Sequence, residues 1–272
     1  MCDKPLVSYI VGVYNTKNFD DLDRSIGSML HQTYPNIEIV ICDDVSNNGV
    51  FEYLTSKYGS YDNIILIRND KNGGLGTSLN HCLKAASGKY IARHDDDDYI
   101  DVTKLQKQVD FLENNPSYSF VSTGYYKFDA DGIWGDYQPM ERPGKRDFRV
   151  HSQHVHAATL FTRECLDAVH GYRIAPETRR AEDYDLFMRL YAAGYNGYNI
   201  QEKLYYYNYP RGNKRIIKYR YKVMEAIVRA KGFYWMKLPI RDYVFVVRPL
   251  IAGILSENAK LRIKQILRGK SE

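Results

Sequence analysis

Cysteine is scarce in this sequence and nowhere paired. Of 272 residues four are Cys, at positions 2, 42, 82 and 165, and no two stand at the short spacings that build a zinc knuckle or a disulfide framework. Reduced thiols are expected. No segment reaches the roughly 18 consecutive apolar residues that a membrane-spanning helix needs. The most apolar late run, Tyr243 to Leu255, is too short and is broken by Arg248-Pro249. The opening Met1-Cys2-Asp3-Lys4-Pro5 leads into a strand-length apolar run with no cleavage signature, so a cytoplasmic chain without a signal peptide is expected. Internal repeats, low-complexity tracts and a recognisable nucleic-acid-reading motif are also missing, which removes solenoids, linkers and a nucleic-acid partner from consideration.

What the sequence does have is segregated charge. The chain carries +5 overall, yet Lys203 to Glu272 alone holds 17 Lys and Arg against 4 Asp and Glu, so the body before it is acidic. A basic tail on an acidic body suits an anionic partner, and an inner-membrane surface is the expected one. Tyr205 to Asn213 reads as an aromatic loop. Beyond it Ile216, Val223, Met224 and Ile227 form a helical stripe opposite Lys214, Lys218, Lys222 and Arg229. Such a helix serves either a membrane interface or packing against the preceding domain.

The first hundred residues alternate strand and helix. Leu6 to Tyr14 reads as a buried strand ending in the polar turn Asn15-Thr16-Lys17-Asn18. Leu22, Ile26, Met29 and Leu30 then recur at helical spacing until Tyr34-Pro35-Asn36. A strand from Ile37 to Cys42 finishes at Asp43-Asp44, and a short helix leads to a strand from Ile64 to Arg68. The loop from Asn69 to Gly76 opens a helix through Ala86, with Gly88 as its stop, and a fourth strand starts at Lys89. The pattern predicts right-handed crossovers and an α/β, Rossmann-like, mostly parallel sheet with helices on both faces. Ligands bind at the carboxyl edge of such a sheet. Tyr14-Asn15, Asp43-Asp44, the glycine loop and Asp95 to Asp98 all fall there.

The fourth strand is predicted to run directly into Asp95-Asp96-Asp97-Asp98. Strand alternation would aim Asp95 and Asp97 to one face and Asp96 and Asp98 to the other. Adjacent carboxylates repel, and a hard divalent cation such as Mg²⁺ or Mn²⁺ relieves that repulsion. Further on, Leu105, Val109 and Leu112 mark a helix, and Phe120 to Phe128 and Ala157 to Phe161 read as strands around a Gly-, Pro- and charge-rich insert, Asp129 to Arg149. His151, His154 and His156 have no local carboxylate beside them and are expected to be hydrogen-bonded, not metal-bound. Glu182-Asp183-Tyr184-Asp185 heads a helix closed by Gly194, a place where a carboxylate serves as helix-dipole complement or as general base.

Together these motifs are enough to name a family. VGVYN from Val11 to Asn15, SIGSMLHQTYPNIEIVICDD from Ser25 to Asp44, GGLGTSLN from Gly73 to Asn80, RHDDDD from Arg93 to Asp98 and EDYDLFMRL from Glu182 to Leu190 resemble the family-two glycosyltransferases of bacterial polysaccharide assembly. The resemblance covers about the first 210 residues. It implies a GT-A fold and an inverting, Mn²⁺- or Mg²⁺-dependent transfer from a UDP-sugar to a hydroxyl of a glycan or lipid-linked saccharide. It further implies a body at 1–210, with a nucleotide-binding half at 1–100 and a catalytic half at 101–210, and a basic helical tail at 211–272.

By the same resemblance Gly12, Tyr14, Asn15 and Asp44 hold the uracil and ribose, with Asp44 accepting from the base imide. Asn72 and the backbone amides at Gly73 face the ribose or diphosphate. Asp95 and Asp97 match the metal-binding DXD motif, with Asp97 as the direct ligand and Asp96 between them counted with the donor nucleotide site. Asp183 matches the catalytic base, Glu182 orients the acceptor or the base, and Arg211 reaches the diphosphate. The chain departs from the family at Gly12 and Val102, where proline is usual, and at Val45, where glycine is usual. A nucleotidyltransferase would carry a basic glycine-rich loop where Tyr14 to Lys17 stands. The other alternative is an inactive nucleotide- or glycan-binding scaffold, against which intact Asp97 and Asp183 argue.

Overall fold

The computed structural model describes residues 4–212 and 218–254. Strands β1 (Val7–Val13), β2 (Ile37–Asp43), β3 (Ile64–Arg68) and β4 (Tyr90–Arg93) pair in parallel, in the order β3-β2-β1-β4. Beyond β4 the sheet continues through β8 (Leu160–Thr162), β6 (Phe120–Asp129), β9 (Gly197–Asn208) and β5 (Tyr99–Ile100), and β7 (Gly132–Tyr137) hangs on β6. Antiparallel pairing enters at β8, but most paired positions lie in parallel ladders, since β6 and β9 also run parallel. This is the mostly parallel α/β sheet that the alternating pattern predicts.

Side-chain alternation along β1 divides the core. Val7, Tyr9 and Val11 face helices α1 (Phe19–Leu30), α2 (Val50–Tyr58) and α4 (Lys104–Asn114), while Ile10 faces α3 (Leu75–Ala85) and α6 (Glu182–Ala192). Each fully buried Leu, Ile or Val contributes about 1.5–3 kcal/mol relative to exposure, so both faces must be covered. Local signals fix the helix ends. Asn18 accepts from the Asp20 N–H at 3.0 Å to start α1. Gly194, at φ 95°, follows α6, where the Tyr195 N–H reaches back to the Leu190 carbonyl.

Some expectations change. Gly88 is no left-handed stop: α3 already ends at Ala85, and a β-carbon at Gly88 would lie 2.6 Å from Ser8 Oγ, so close approach to β1 is what demands glycine. The insert after Asp129 contains β7, and Tyr205 to Asn208 belong to β9 instead of a loop.

The tail also departs from its predicted face. In α7 (Tyr219–Trp235) the buried residues are Ala226, Val228, Arg229, Gly232 and Phe233, whereas of the predicted apolar stripe Val223 and Ile227 are exposed and Met224 is half-buried. Arg229, expected in solvent, donates to the carbonyls of Arg149 and Val150 and pairs with Glu225. Lys214 and Ile216 lie outside the described residues. Asp242, buried in the 3-10 segment Ile240–Val247, accepts from Arg146 and Arg149 and clamps the tail to the body before α8 (Arg248–Ile254).

Lys104, on α4, is fully buried with only Gln108 Oε1, at 2.9 Å, as partner among the described residues, and burial lowers its ammonium to about 7. Between about pH 7 and the unfolded value near 10.4 the unfolded chain holds this proton and the folded one does not, so stability should rise with pH there. Urea unfolding at pH 7 and pH 9 should show the rise, and Lys104→Met should flatten it.

Candidate active site

The parallel half of the sheet places β1, β2 and α3 so that their ends meet. Gly12, Tyr14, Asp44, Asn72 and Gly73 line one wall of a cavity of about 740 Å³. A β-carbon at Gly12 would stand 2.9 Å from Leu75 Cδ1, so a larger residue there would crowd α3 against that wall. Asp44 is buried. Its Oδ1 accepts from Asn69 Nδ2 and the Gly73 N–H, and its Oδ2 from the Gly74 N–H, each at 2.8 Å. The Gly73 and Gly74 amides, expected to face the ribose or diphosphate, are therefore spent on Asp44. A carboxylate offers about four lone-pair sites, which leaves Asp44 acceptor capacity for one cavity ligand. Asn72 Nδ2 is likewise held by the Asp44 carbonyl at 3.1 Å.

Asn15 is fixed by its N–H to Ser46 Oγ and by its side chain, which accepts from the Asn47 N–H. Both Asn15 (φ 50°) and Val45 (φ 62°) are left-handed. For a β-branched residue that conformation is strained, which accounts for the glycine usual at Val45's place.

The acidic turn differs from its predicted geometry. β4 stops at Arg93, so Asp95 to Asp98 form a turn instead of an alternating strand tip. Asp98 is buried and accepts from Tyr205 Oη and the Asn208 N–H, both at 2.7 Å, which makes it structural. Asp95 is committed to the buried Arg93, 2.5 Å away, so the expected Asp95–Asp97 pair is half engaged. Asp96 accepts from Thr16 Oγ1, and burial pushes its carboxyl up to about 6. Asp97 is the exposed member. Lost hydration, then the charges of Asp96 and Asp95, raise it to about 7.

No group of three or more His, Cys, Asp or Glu gathers to hold a metal among the described residues. Mutually repelling, oxygen-only ligands in a single turn nevertheless fit one hard divalent cation whose remaining positions a diphosphate would fill. The three histidines are hydrogen-bonded as expected: His154 to Asn199 and Tyr191, His156 to Tyr172, His151 to Tyr137.

At the first turn of α6, Glu182 lines the same cavity and burial, then the Asp183 charge, pushes it up to about 7. Burial also raises Asp183, opposed by the backbone N–H of Tyr184 and by Arg93. Arg93 is thus a buried cation within electrostatic reach of Asp95, Asp96, Glu182 and Asp183, and its Nε has no hydrogen-bond partner among the described residues. Arg211 is not part of this arrangement. It pairs with Asp129 at the β6–β7 hairpin, where the aromatic segment returns, instead of reaching a diphosphate.

The second wall escaped sequence reading: Arg173, Ile174, Arg179, Arg180 and Tyr221. Arg179-Arg180 stand directly before the acidic helix head, a local signal that was available. Tyr221 had none, since only the packing of α7 brings it there.

Residues 8–169 match the family model described as Glycosyl transferase family 2. The chain is a family 2 glycosyltransferase. EpsE of Bacillus subtilis (strain 168), which carries a glycosyltransferase name, is 36% identical over 266 residues, 95% of each chain. The Escherichia coli WfaP, named a UDP-Glc:alpha-D-GlcNAc-diphosphoundecaprenol beta-1,3-glucosyltransferase, is 39% identical over 124 residues, covering 46% of this glycosyltransferase and 48% of WfaP. Among solved structures, S. aureus TarS 1–349 with UDP-GlcNAc superposes with a TM-score of 0.68 at 18% identity, covering 91% of this chain and 71% of that one. The Pyrobaculum calidifontis mannosyltransferase PcManGT with GDP-Man and Mn²⁺ gives 0.61 at 17%, covering 100% and 82%. The sheet with its flanking helices is accordingly the GT-A fold, and the family acts by sugar transfer in bacterial polysaccharide synthesis.

Proposed function

We propose that this glycosyltransferase moves a sugar from a UDP-sugar to a hydroxyl of a glycan or lipid-linked saccharide, with inversion and with a divalent cation bound at the acidic turn. The observation that carries this reading is a single cavity joining Gly12, Tyr14 and Asp44 on one wall to Glu182, beside Asp183, on the other. Asp44, with acceptor capacity left on its carboxylate, suits the imide N–H of uracil. Asp97 and Asp96 would hold Mn²⁺ or Mg²⁺, which neutralises charge on the departing diphosphate. Asp183 takes the acceptor proton as the hydroxyl oxygen attacks the anomeric carbon from the face opposite the leaving group.

The test is calorimetry of UDP against GDP, CDP and TDP, each with Mn²⁺, Mg²⁺ or chelator. Metal-dependent selection of UDP is expected. A folded protein that binds no nucleotide with metal would favour the scaffold alternative.

No helix among the described residues is long and apolar enough to cross a membrane. The tail instead exposes Ile240 (84%), Val244 (66%), Val247 and Ile251 beside Lys237, Arg241 and Arg248. Apolar side chains ringed by cations suit an anionic lipid surface, where a lipid-linked acceptor and a peripheral location on the inner face of the membrane would coincide. Ile240→Asp with Val244→Asp should release the protein from anionic vesicles. Unchanged sedimentation with vesicles would remove the surface from the proposal.

A further inference from the structure

Deepening the donor reading above, we propose that Arg179 and Arg180 form an anion-binding wall opposite the nucleotide motifs, taking the diphosphate or a carboxylate on the transferred sugar. Three arginines line the cavity. Arg173 is spent, with Asp185 Oδ1 at 2.6 Å and Glu177 Oε1 at 2.7 Å. Arg179 and Arg180 have no carboxylate within ion-pair distance among the described residues, although Glu182 lies on the same wall and Asp44 on the other. Two successive arginines on one wall, without a carboxylate partner among the described residues, leave guanidinium donors that a bound anion would satisfy.

The loop is built to present them. Arg180 adopts φ 67°, a strained conformation for a residue with a β-carbon, and its guanidinium lies 5.1 Å from the centre of the Tyr221 ring. Strain of this kind persists only where neighbours hold it, and Tyr221 comes from α7, which packs on α6. Arg179 faces the nucleotide wall: its Nε is 3.8 Å from where a β-carbon on Gly74 would stand. Gly74, at φ 81° ahead of α3, leaves that space open. The cations thus stand on one wall of a cavity whose other wall is expected to hold the uridine. Guanidinium forks match both phosphate and carboxylate oxygens, so the chemistry is shared and the source must be measured.

The experiment titrates wild type, Arg179→Gln and Arg180→Gln with uridine, UDP, a neutral UDP-hexose and a UDP-hexuronate, with melting curves to confirm folding. If the wall takes the diphosphate, UDP affinity falls roughly 10- to 100-fold in the variants while uridine affinity holds. If it takes a sugar carboxylate, UDP is unaffected and preference for the hexuronate over the hexose collapses by a similar factor. Arg180→Lys should recover less than half of the lost discrimination if the fork geometry matters. Variants that bind all four ligands as wild type does would overturn the proposal. Should wild type bind no uridine compound, the donor reading fails by itself, and titration with inorganic pyrophosphate still judges the arginines: equal binding by variants and wild type rejects them.

Discussion

Asp183→Asn is expected to cut sugar transfer by roughly 10²–10⁴-fold, the usual worth of a positioned general base, with UDP affinity changed little. Asn keeps the shape and the hydrogen bond from the Tyr184 N–H but cannot take a proton. Asp183 is not among the residues lining the cavity, so removing its charge leaves the nucleotide wall untouched. The pH dependence sharpens the test. Burial raises both Glu182, to about 7, and Asp183, and the Asp183 charge adds to the rise at Glu182. A base must be ionised to act, so kcat/KM should fall as pH drops, and at a higher pH than an ordinary aspartate would set. Glu182→Gln removes one negative charge and should shift that acid limb to lower pH. Equal losses of UDP binding and of transfer in Asp183→Asn would sink the base assignment.

The second large effect is expected at Asp97. Asp97→Asn should abolish the stabilisation that Mn²⁺ with UDP gives the wild type, which by mass action is about 2.7 kcal/mol at a hundredfold excess over Kd. The reason is the distribution of partners within the turn. Asp98 is filled by Tyr205 and Asn208 and Asp95 by Arg93, Asp96 gives one oxygen to Thr16, and Asp97 alone is exposed. Thermal melting with and without Mn²⁺ and UDP reads the effect. The outcome against it is a variant that keeps the metal-dependent shift while Asp95→Asn loses it, which would put the cation on Asp95.

Periodicity was enough for the first hundred residues because strands β1 and β2 are buried, short and separated by helices with apolar stripes, so pattern and packing agree. The acidic turn was legible as composition but not as geometry. Four Asp in a row carry no sign that the chain leaves the sheet after Arg93, and only Tyr205 and Asn208, far along the chain, decide that Asp98 is structural. The tail misled for a related reason. An apolar stripe predicts a buried face, but α7 packs through Ala226, Val228, Gly232, Phe233 and Arg229, because Gly232 lets the helix meet Met188 closely and backbone carbonyls satisfy the guanidinium. Arg211 was placed by its neighbourhood in sequence, and β9 carries it to Asp129 instead.

The hydrogen bonds that close the acidic turn also set a timetable. Tyr205 and Asn208 lie 107 and 110 residues after Asp98, and a ribosome adding about 5–20 residues per second needs roughly 5–20 s to deliver them. Throughout that interval the nascent chain displays the first four strands and their turns with Asp98 unanchored. A ribosome-bound chain halted with residue 200 exposed should therefore lack the Mn²⁺-dependent nucleotide binding that one halted with β9 exposed has gained.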